Sequence, residues 1–262
     1  MIKAIIFDLD DTLLWDERSV NESFQETCQK AAEKYAIDPK QLEEKVREAA
    51  RKLYASYETY EFTQMIGINP FEGIWGNFRD DTEDFRKLAR IVPQYRKDAW
   101  TFGLKALGID DEELGAELAE LFPKIRRTKH YVFDDTYPVL EKLKNDYKLL
   151  LLTNGSPDLQ SEKLSGVPQL KTYFDYIVVS GSFGRGKPDV SLFQYALNLL
   201  GVTNKEAVMV GDKLTTDILG ANNTGIASVW INRSNKQRDD EIVPNYEIAS
   251  LTELFTILNE MK

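Results

Sequence analysis

The chain has 262 residues, 42% hydrophobic and 29% charged, a globular rather than disordered composition with length enough for one large core and a smaller inserted domain. Its 33 Lys and Arg against 43 Asp and Glu give a net charge of -10, which argues against binding a polyanionic backbone, so no nucleic acid partner is expected, while a small anionic substrate held by a few local cations is. Cys28 is the single cysteine, which excludes an intramolecular disulfide and a multi-cysteine zinc site and points to a reducing compartment.

Taken in chain order, Ala4-Ile5-Ile6-Phe7 comes first and reads as a strand buried on both faces, as in a parallel sheet flanked by helices. The run is shorter than the roughly 7 to 15 apolar residues of a signal peptide or the ~20 of a membrane span, so the expectation is a cytoplasmic protein without membrane association. Asp8 and Asp10 follow at once, where such a sheet opens its ligand crevice, near enough to share one cation or one reacting group.

Residues 15–130 change to a helical pattern. Ser19 or Asn21 is placed to cap a helix with Phe24, Cys28 and Ala31 on one face, and Asp38-Pro39 opens another through Leu42, Val46, Ala49 and Leu53. Further helices are expected over 81–92, 94–107 and 111–122. Residues 67–76, with three Gly and Pro70, read as a loop that exposes Trp75, whereas Trp100 lies in a helical pattern. His130, the only histidine, sits beside Arg126, Arg127 and Lys129 and is assigned a structural or surface role.

After residue 131 strands alternate with helices. Strands are expected over 148–152, 176–179, 208–210 and 228–231, and helices over 137–145, 159–164, 192–200, 216–222 and 251–261. The alternation argues an α/β fold with a doubly wound parallel sheet. Residues 1–14 and 131–262 would form this core, and 15–130 an inserted all-helical domain.

Four segments, in this order, resemble the motifs of the haloacid dehalogenase (HAD) superfamily. They are Asp8-Leu9-Asp10-Asp11-Thr12, Leu150-Leu151-Leu152-Thr153-Asn154-Gly155, Gly186-Lys187-Pro188-Asp189, and Val208-Met209-Val210-Gly211-Asp212-Lys213-Leu214-Thr215-Thr216-Asp217. The stretch from Gly211 to Trp230-Ile231-Asn232-Arg233 is particularly similar to the helical-cap phosphatase branch containing pyrimidine nucleotidases and sialic-acid phosphate phosphatases, which also holds phosphoserine phosphatases and sugar phosphatases. The resemblance implies a Rossmann-like HAD core with a helical cap domain. It implies a Mg²⁺-dependent phosphatase that hydrolyses a small-metabolite phosphomonoester (nucleotide, sugar phosphate or phosphoserine) through an aspartyl-phosphate intermediate.

Residue by residue, the resemblance makes Asp8 the nucleophile and a metal ligand, and Asp10 the general acid/base and a ligand through its carbonyl. Thr153 and the backbone N–H groups of Asn154 and Gly155 would bind phosphate, and Lys187 would pair with Asp8 and the phosphate. Asp212 is a further Mg²⁺ ligand, in keeping with that ion's preference for carboxylates plus substrate oxygen. Asp217 reaches a metal-bound water or orients Lys187. In the cap, Trp75, Arg79 and Trp100 are the candidates for selecting the leaving group. A phosphosugar mutase shares all four motifs and is the alternative; a non-enzymatic binding module is a remoter one, and a dehalogenase would not keep the acid at Asp10. A monomer or homodimer is expected.

Overall fold

The computed structural model describes residues 1–238 and 240–261. Among them, six strands form one parallel sheet: β1 (Ala4–Phe7), β2 (Lys148–Thr153), β3 (Tyr176–Val179), β4 (Ala207–Gly211), β5 (Ala227–Ile231) and β6 (Tyr246–Ile248), in the order β3-β2-β1-β4-β5-β6. All four residues of β1 are buried. Ala4 and Ile6 share an apolar cluster with Leu150, Leu152 and Met209, closed by Leu192, Phe193, Ala196 and Leu197 of the crossover helix Val190–Leu200. That helical spacing is one apolar stripe, and each fully buried Leu or Ile in it stabilises by about 1.5–3 kcal/mol relative to exposure.

β6 has no counterpart in the sequence reading. Tyr246-Glu247-Ile248 is too short to show a period and carries a charge at its centre; pairing of Val229 with Tyr246 and Ile231 with Ile248 makes it a strand. The chain progresses from β1 to β2 and β3 on one side and to β4, β5 and β6 on the other, so β1 and β4 flank a topological switch point, where such sheets bind ligands beyond their carboxyl ends. Register aligns Phe7 with both Leu151 and Val210. Asp8, Thr153 and Asp212 therefore leave the sheet along one edge, and the Asp8 N–H extends the ladder by donating to the Val210 carbonyl at 2.9 Å.

The chain divides into two compact units. One comprises Met1–Trp15, Tyr131–Gly155 and the chain from Val167 onward; the other is Asp16–His130 with Ser156–Gly166. The first contains the sheet. Its two crossing segments pair antiparallel through Leu14 and Val132, with Trp15 N–H donating to Tyr131 at 2.9 Å and Phe133 N–H to Leu13 at 3.2 Å.

The second unit is helical, and it differs from the sequence reading in several respects: its first helix, Asp16–Lys34, contains Ser19 and Asn21 rather than being capped by either, and a helix over Tyr60–Ile66 has no counterpart there. The helix Pro157–Ser165, read from sequence as part of the core, packs here: Leu159 joins the helical apolar cluster, Asp80 accepts from Ser156 Oγ at 2.6 Å and from Asp158 N–H at 2.8 Å, and Lys163 pairs with Glu72 at 3.1 Å. These partners lie some eighty to ninety residues away, beyond any local pattern. The helices expected over 81–92 and 94–107 are one helix, Glu83–Lys105, running through Pro93. A mid-helix proline costs about 3 kcal/mol, which burial of Phe85, Leu88, Tyr95, Trp100 and Leu104 offsets. The stretch 67–76 contains a capped turn, Pro70–Gly73, in which Asn69 and Glu72 satisfy each other's backbone donors. Among the described residues no helix is long and apolar enough to cross a membrane.

Candidate active site

Four charged groups from three chain segments meet at the carboxyl edge of β1 and β4. Lys187 Nζ lies 2.5 Å from Asp8 Oδ1 and 2.8 Å from Asp217 Oδ1, and donates to the Leu152 carbonyl at 2.8 Å. These three acceptors satisfy the charge of a lysine whose side chain is only 2% exposed. Carboxylate oxygens of Asp8, Asp212 and Asp217 come within 4.8 Å of one another. Thr12 completes the setting of Asp8 by donating its hydroxyl to Oδ2 at 3.2 Å.

Backbone placement explains the convergence. Asp8 and Asp212 follow β1 and β4 directly, and Asp217 returns on the π-helical turn Leu214–Ile218, its Oδ2 accepting from the Lys213 N–H at 3.0 Å. Gly211 makes room for that return, because a Cβ there would lie 2.4 Å from the Asp217 carboxyl carbon. Lys187 is fixed through its main chain: the buried edge of β2 presents Asn154, whose side chain accepts from Lys187 N–H at 2.8 Å and donates to its carbonyl at 3.0 Å.

Three carboxylates against one ammonium leave an excess of negative charge in a buried place, and the proton affinities record it. Burial pushes the Asp8 carboxyl well above the usual range; Lys187 opposes the rise, and Asp217, Asp212 and Asp10 add to it. Burial and Asp217 likewise raise Asp212 to about 6 against the pull of Lys236. Burial works against the Lys187 charge, but Asp217 and Asp8 outweigh it and hold the ammonium firmly protonated. A cluster of hard oxygen donors short of positive charge fits a small divalent cation.

Other nominated residues fall elsewhere. Asp10 is half-buried in the turn after β1, bridged to Leu14, and is not among the converging acids. Thr153 is buried at the end of β2. The Gly155 N–H, expected to serve phosphate, donates instead to Ser180 Oγ at 2.8 Å, because the chain bends there at a φ of 138° before the helix begins at Pro157 with Ser156 as its cap. His130 Nε2 lies 2.7 Å from the Arg127 carbonyl, and its ring fills the space over Gly166.

Trp75 is not exposed but 2% accessible, in the apolar core of the helical unit, with the Arg126 guanidinium 4.6 Å from its ring centre. The neighbouring glycines signal close packing rather than an open loop: a Cβ on Gly73 would lie 2.8 Å from the Tyr95 ring, and one on Gly76 2.8 Å from Phe78. Trp100 is fully buried against Phe24 and Phe122, at 5.8 Å from each. Arg79 alone of the three is exposed, its side chain 70% accessible and paired with Asp158 at 3.3 Å. Trp75→Ala is therefore expected to act on stability, destabilising by about 3–5 kcal/mol. Thermal melting should show a lowered midpoint, with kcat/KM of the folded protein near that of the parent; a parent-like midpoint with altered substrate preference would contradict this.

Two cations near the site had no role assigned from the sequence, although Arg233 ends the stretch that resembles the phosphatase branch. Lys236 Nζ lies 3.3 Å from Asp212 Oδ2, and Arg233 donates to the Thr12 carbonyl at 3.1 Å. The available signal was their place just after β5, at the same sheet edge.

The family model described as haloacid dehalogenase-like hydrolase matches residues 2–225. The chain is 32% identical to the phosphoserine phosphatase of Thermus thermophilus over 97% of its own length and 98% of that protein's. It is 34% identical to the N-acylneuraminate-9-phosphatase of Mus musculus over 68% of this chain and 73% of that one. Among solved structures, the magnesium-bound HAD-hydrolase YfnB of Bacillus subtilis superposes with a TM-score of 0.70 at 23% identity, covering 98% of this chain and 99% of that one, a likeness of fold.

Proposed function

We propose, from the premise that the chain belongs to the haloacid dehalogenase-like hydrolase family, that this phosphatase of small phosphorylated metabolites works through a covalent phosphoryl group on Asp8 and requires Mg²⁺. The observation that carries the reading is Asp8 itself, a buried carboxylate at the switch point of the sheet with one oxygen on Lys187 and two further acids within reach of one cation.

Asp8 attacks phosphorus. The new O–P bond forms as the bond to the leaving oxygen breaks, and Asp10 supplies the proton that the departing alkoxide needs. Asp10, now a base, takes a proton from water; that water attacks phosphorus, and inorganic phosphate leaves as the Asp8 carboxylate is restored. Splitting one displacement into two in this way lowers each barrier, and general acid/base help is worth about 10²–10⁴-fold. Lys187 stays protonated throughout and screens the Asp8 carboxylate from the incoming dianion. Asp8 and Asp212 would hold the metal with the Asp10 carbonyl, Asp217 would orient Lys187 beside them, and a bound Mg²⁺ would neutralise charge developing on the phosphoryl oxygens.

The relatives act on an amino-acid phosphate and a sugar-acid phosphate, so the substrate class is a small polar phosphomonoester. The test is phosphate release with Mg²⁺ from a panel of phosphoserine, sugar phosphates, sugar-acid phosphates and pyrimidine nucleotides. At least one class should be turned over with release of inorganic phosphate. Conversion to an isomeric phosphate ester without release would favour a mutase, and inertness towards all would overturn the reading.

A further inference from the structure

Arg233 lies two residues beyond β5, and the reaction above does not use it. Its guanidinium forks onto both oxygens of Asp135, at 3.0 and 2.8 Å, while NH2 also donates to the main-chain carbonyl of Thr12 at 3.1 Å. It lies over the Phe133 ring at 3.8 Å, and Phe133 stacks on Trp15 at 5.3 Å. Asp135 is anchored independently, accepting from Ser250 Oγ and Leu251 N–H at 2.8 Å each. The fork is thus held at its far end and on its face, leaving one donor aimed at the Thr12 carbonyl.

That carbonyl belongs to the turn that carries Asp10. After Leu9 the chain folds back: the Leu13 and Leu14 N–H groups both donate to the Leu9 carbonyl at 2.9 Å, and Asp11 N–H donates to Leu14 at 2.7 Å. Asp11 takes a φ of 60°, a left-handed conformation that Asp adopts more readily than most residues with a side chain and that turns the chain sharply here. The hydroxyl of Thr12 contacts Asp8, so the Thr12 residue stands between Arg233 on one side and the Asp8 carboxylate on the other.

We infer that Arg233 is a positioning residue for hydrolysis, bracing the Asp10–Thr12 turn so that Asp10 remains aligned with the leaving oxygen and Thr12 with Asp8. The inference rests on Asp8 as nucleophile and Asp10 as general acid. Lysine is not an equivalent, because a point charge cannot fork onto Asp135 and reach the Thr12 carbonyl at once.

The experiment compares Arg233→Lys and Arg233→Met with Asp10→Asn on two esters of similar shape, p-nitrophenyl phosphate and phenyl phosphate, and follows amide exchange in residues 4–14. Phenolate is the poorer leaving group and depends more on the acid. Arg233→Lys should lower kcat on phenyl phosphate about 10-fold more than on p-nitrophenyl phosphate, a fraction of what a general acid supplies, with KM little changed. Exchange should quicken at Asp11, Leu13 and Leu14 while β1 stays protected. Arg233→Met should show the same bias more strongly, and should it fail to fold, the lysine variant decides. Equal losses on both esters, or unaltered exchange in the turn, would overturn the inference. Absence of bias in Asp10→Asn, or inertness of the parent to both esters, would instead be a failure of the proposed mechanism, and the exchange measurement then decides the brace alone.

Discussion

Asp8→Asn is expected to lower kcat by roughly 10⁵-fold while the protein stays folded, since an amide cannot attack phosphorus as a carboxylate does. The surroundings tolerate the change. The Asn oxygen can turn towards Lys187 and its NH₂ towards the Thr12 hydroxyl, which can accept as well as donate. Lys187 keeps Asp217 at 2.8 Å and the Leu152 carbonyl at 2.8 Å. The folded state raises the proton affinity of Asp8, so its ionised form works against stability above its ordinary titration range. Removing that charge should leave the melting temperature in chelator equal or higher. Acid-quenched turnover with labelled substrate should trap a phosphoryl group on the parent and none on the variant. More than a few per cent of parental activity in a sample shown free of deamidation would refute the nucleophile assignment.

Chelation is expected to have an effect of comparable size. EDTA should silence turnover, Mg²⁺ should restore it, and Ca²⁺ should do so poorly, because its larger and looser coordination does not fix the nucleophile in place. Binding can be read without turnover: Mg²⁺ at 100 times its dissociation constant stabilises by about 2.7 kcal/mol, visible as a raised melting midpoint. Asp212→Asn should abolish most of that rise, since it removes one of three converging carboxylates. Full activity in chelator, or a midpoint indifferent to Mg²⁺ in the parent, would end the metal-dependent mechanism.

Much of the core was legible because its signals are local. The unbroken apolar runs of Ala4–Phe7 and residues 149–152 announce strands covered on both faces, and an acid directly after such a run leaves the sheet at its carboxyl end wherever that strand lies. The alternation of strands with helices likewise specifies a parallel α/β sheet, as the chain cannot otherwise return to start a parallel neighbour. Asp8, Lys187 and Asp212 could be singled out on these grounds together with their motifs.

What the tertiary structure decided is every relation between distant segments that the motifs do not carry. That Asp217 comes within reach of Asp8 follows from β1–β4 register, which pairs residues some two hundred positions apart, and from the clearance at Gly211, which only the folded turn reveals. Pro93 sits inside a helix because aromatic burial outweighs a local penalty, and Trp75 is buried because the glycines beside it admit Tyr95 and Phe78 rather than solvent. The helix Pro157–Ser165 follows a core strand in sequence yet joins the helical unit, since Asp80 and Glu72 supply its partners. Arg233 has no role in the sequence beyond ending a family-like stretch until Asp135 and Thr12 are placed beside it, 98 and 221 positions away. Periodicity and punctuation report on a residue's neighbours along the chain, whereas burial and ion pairing depend on neighbours in space, and those are set only when the sheet has closed.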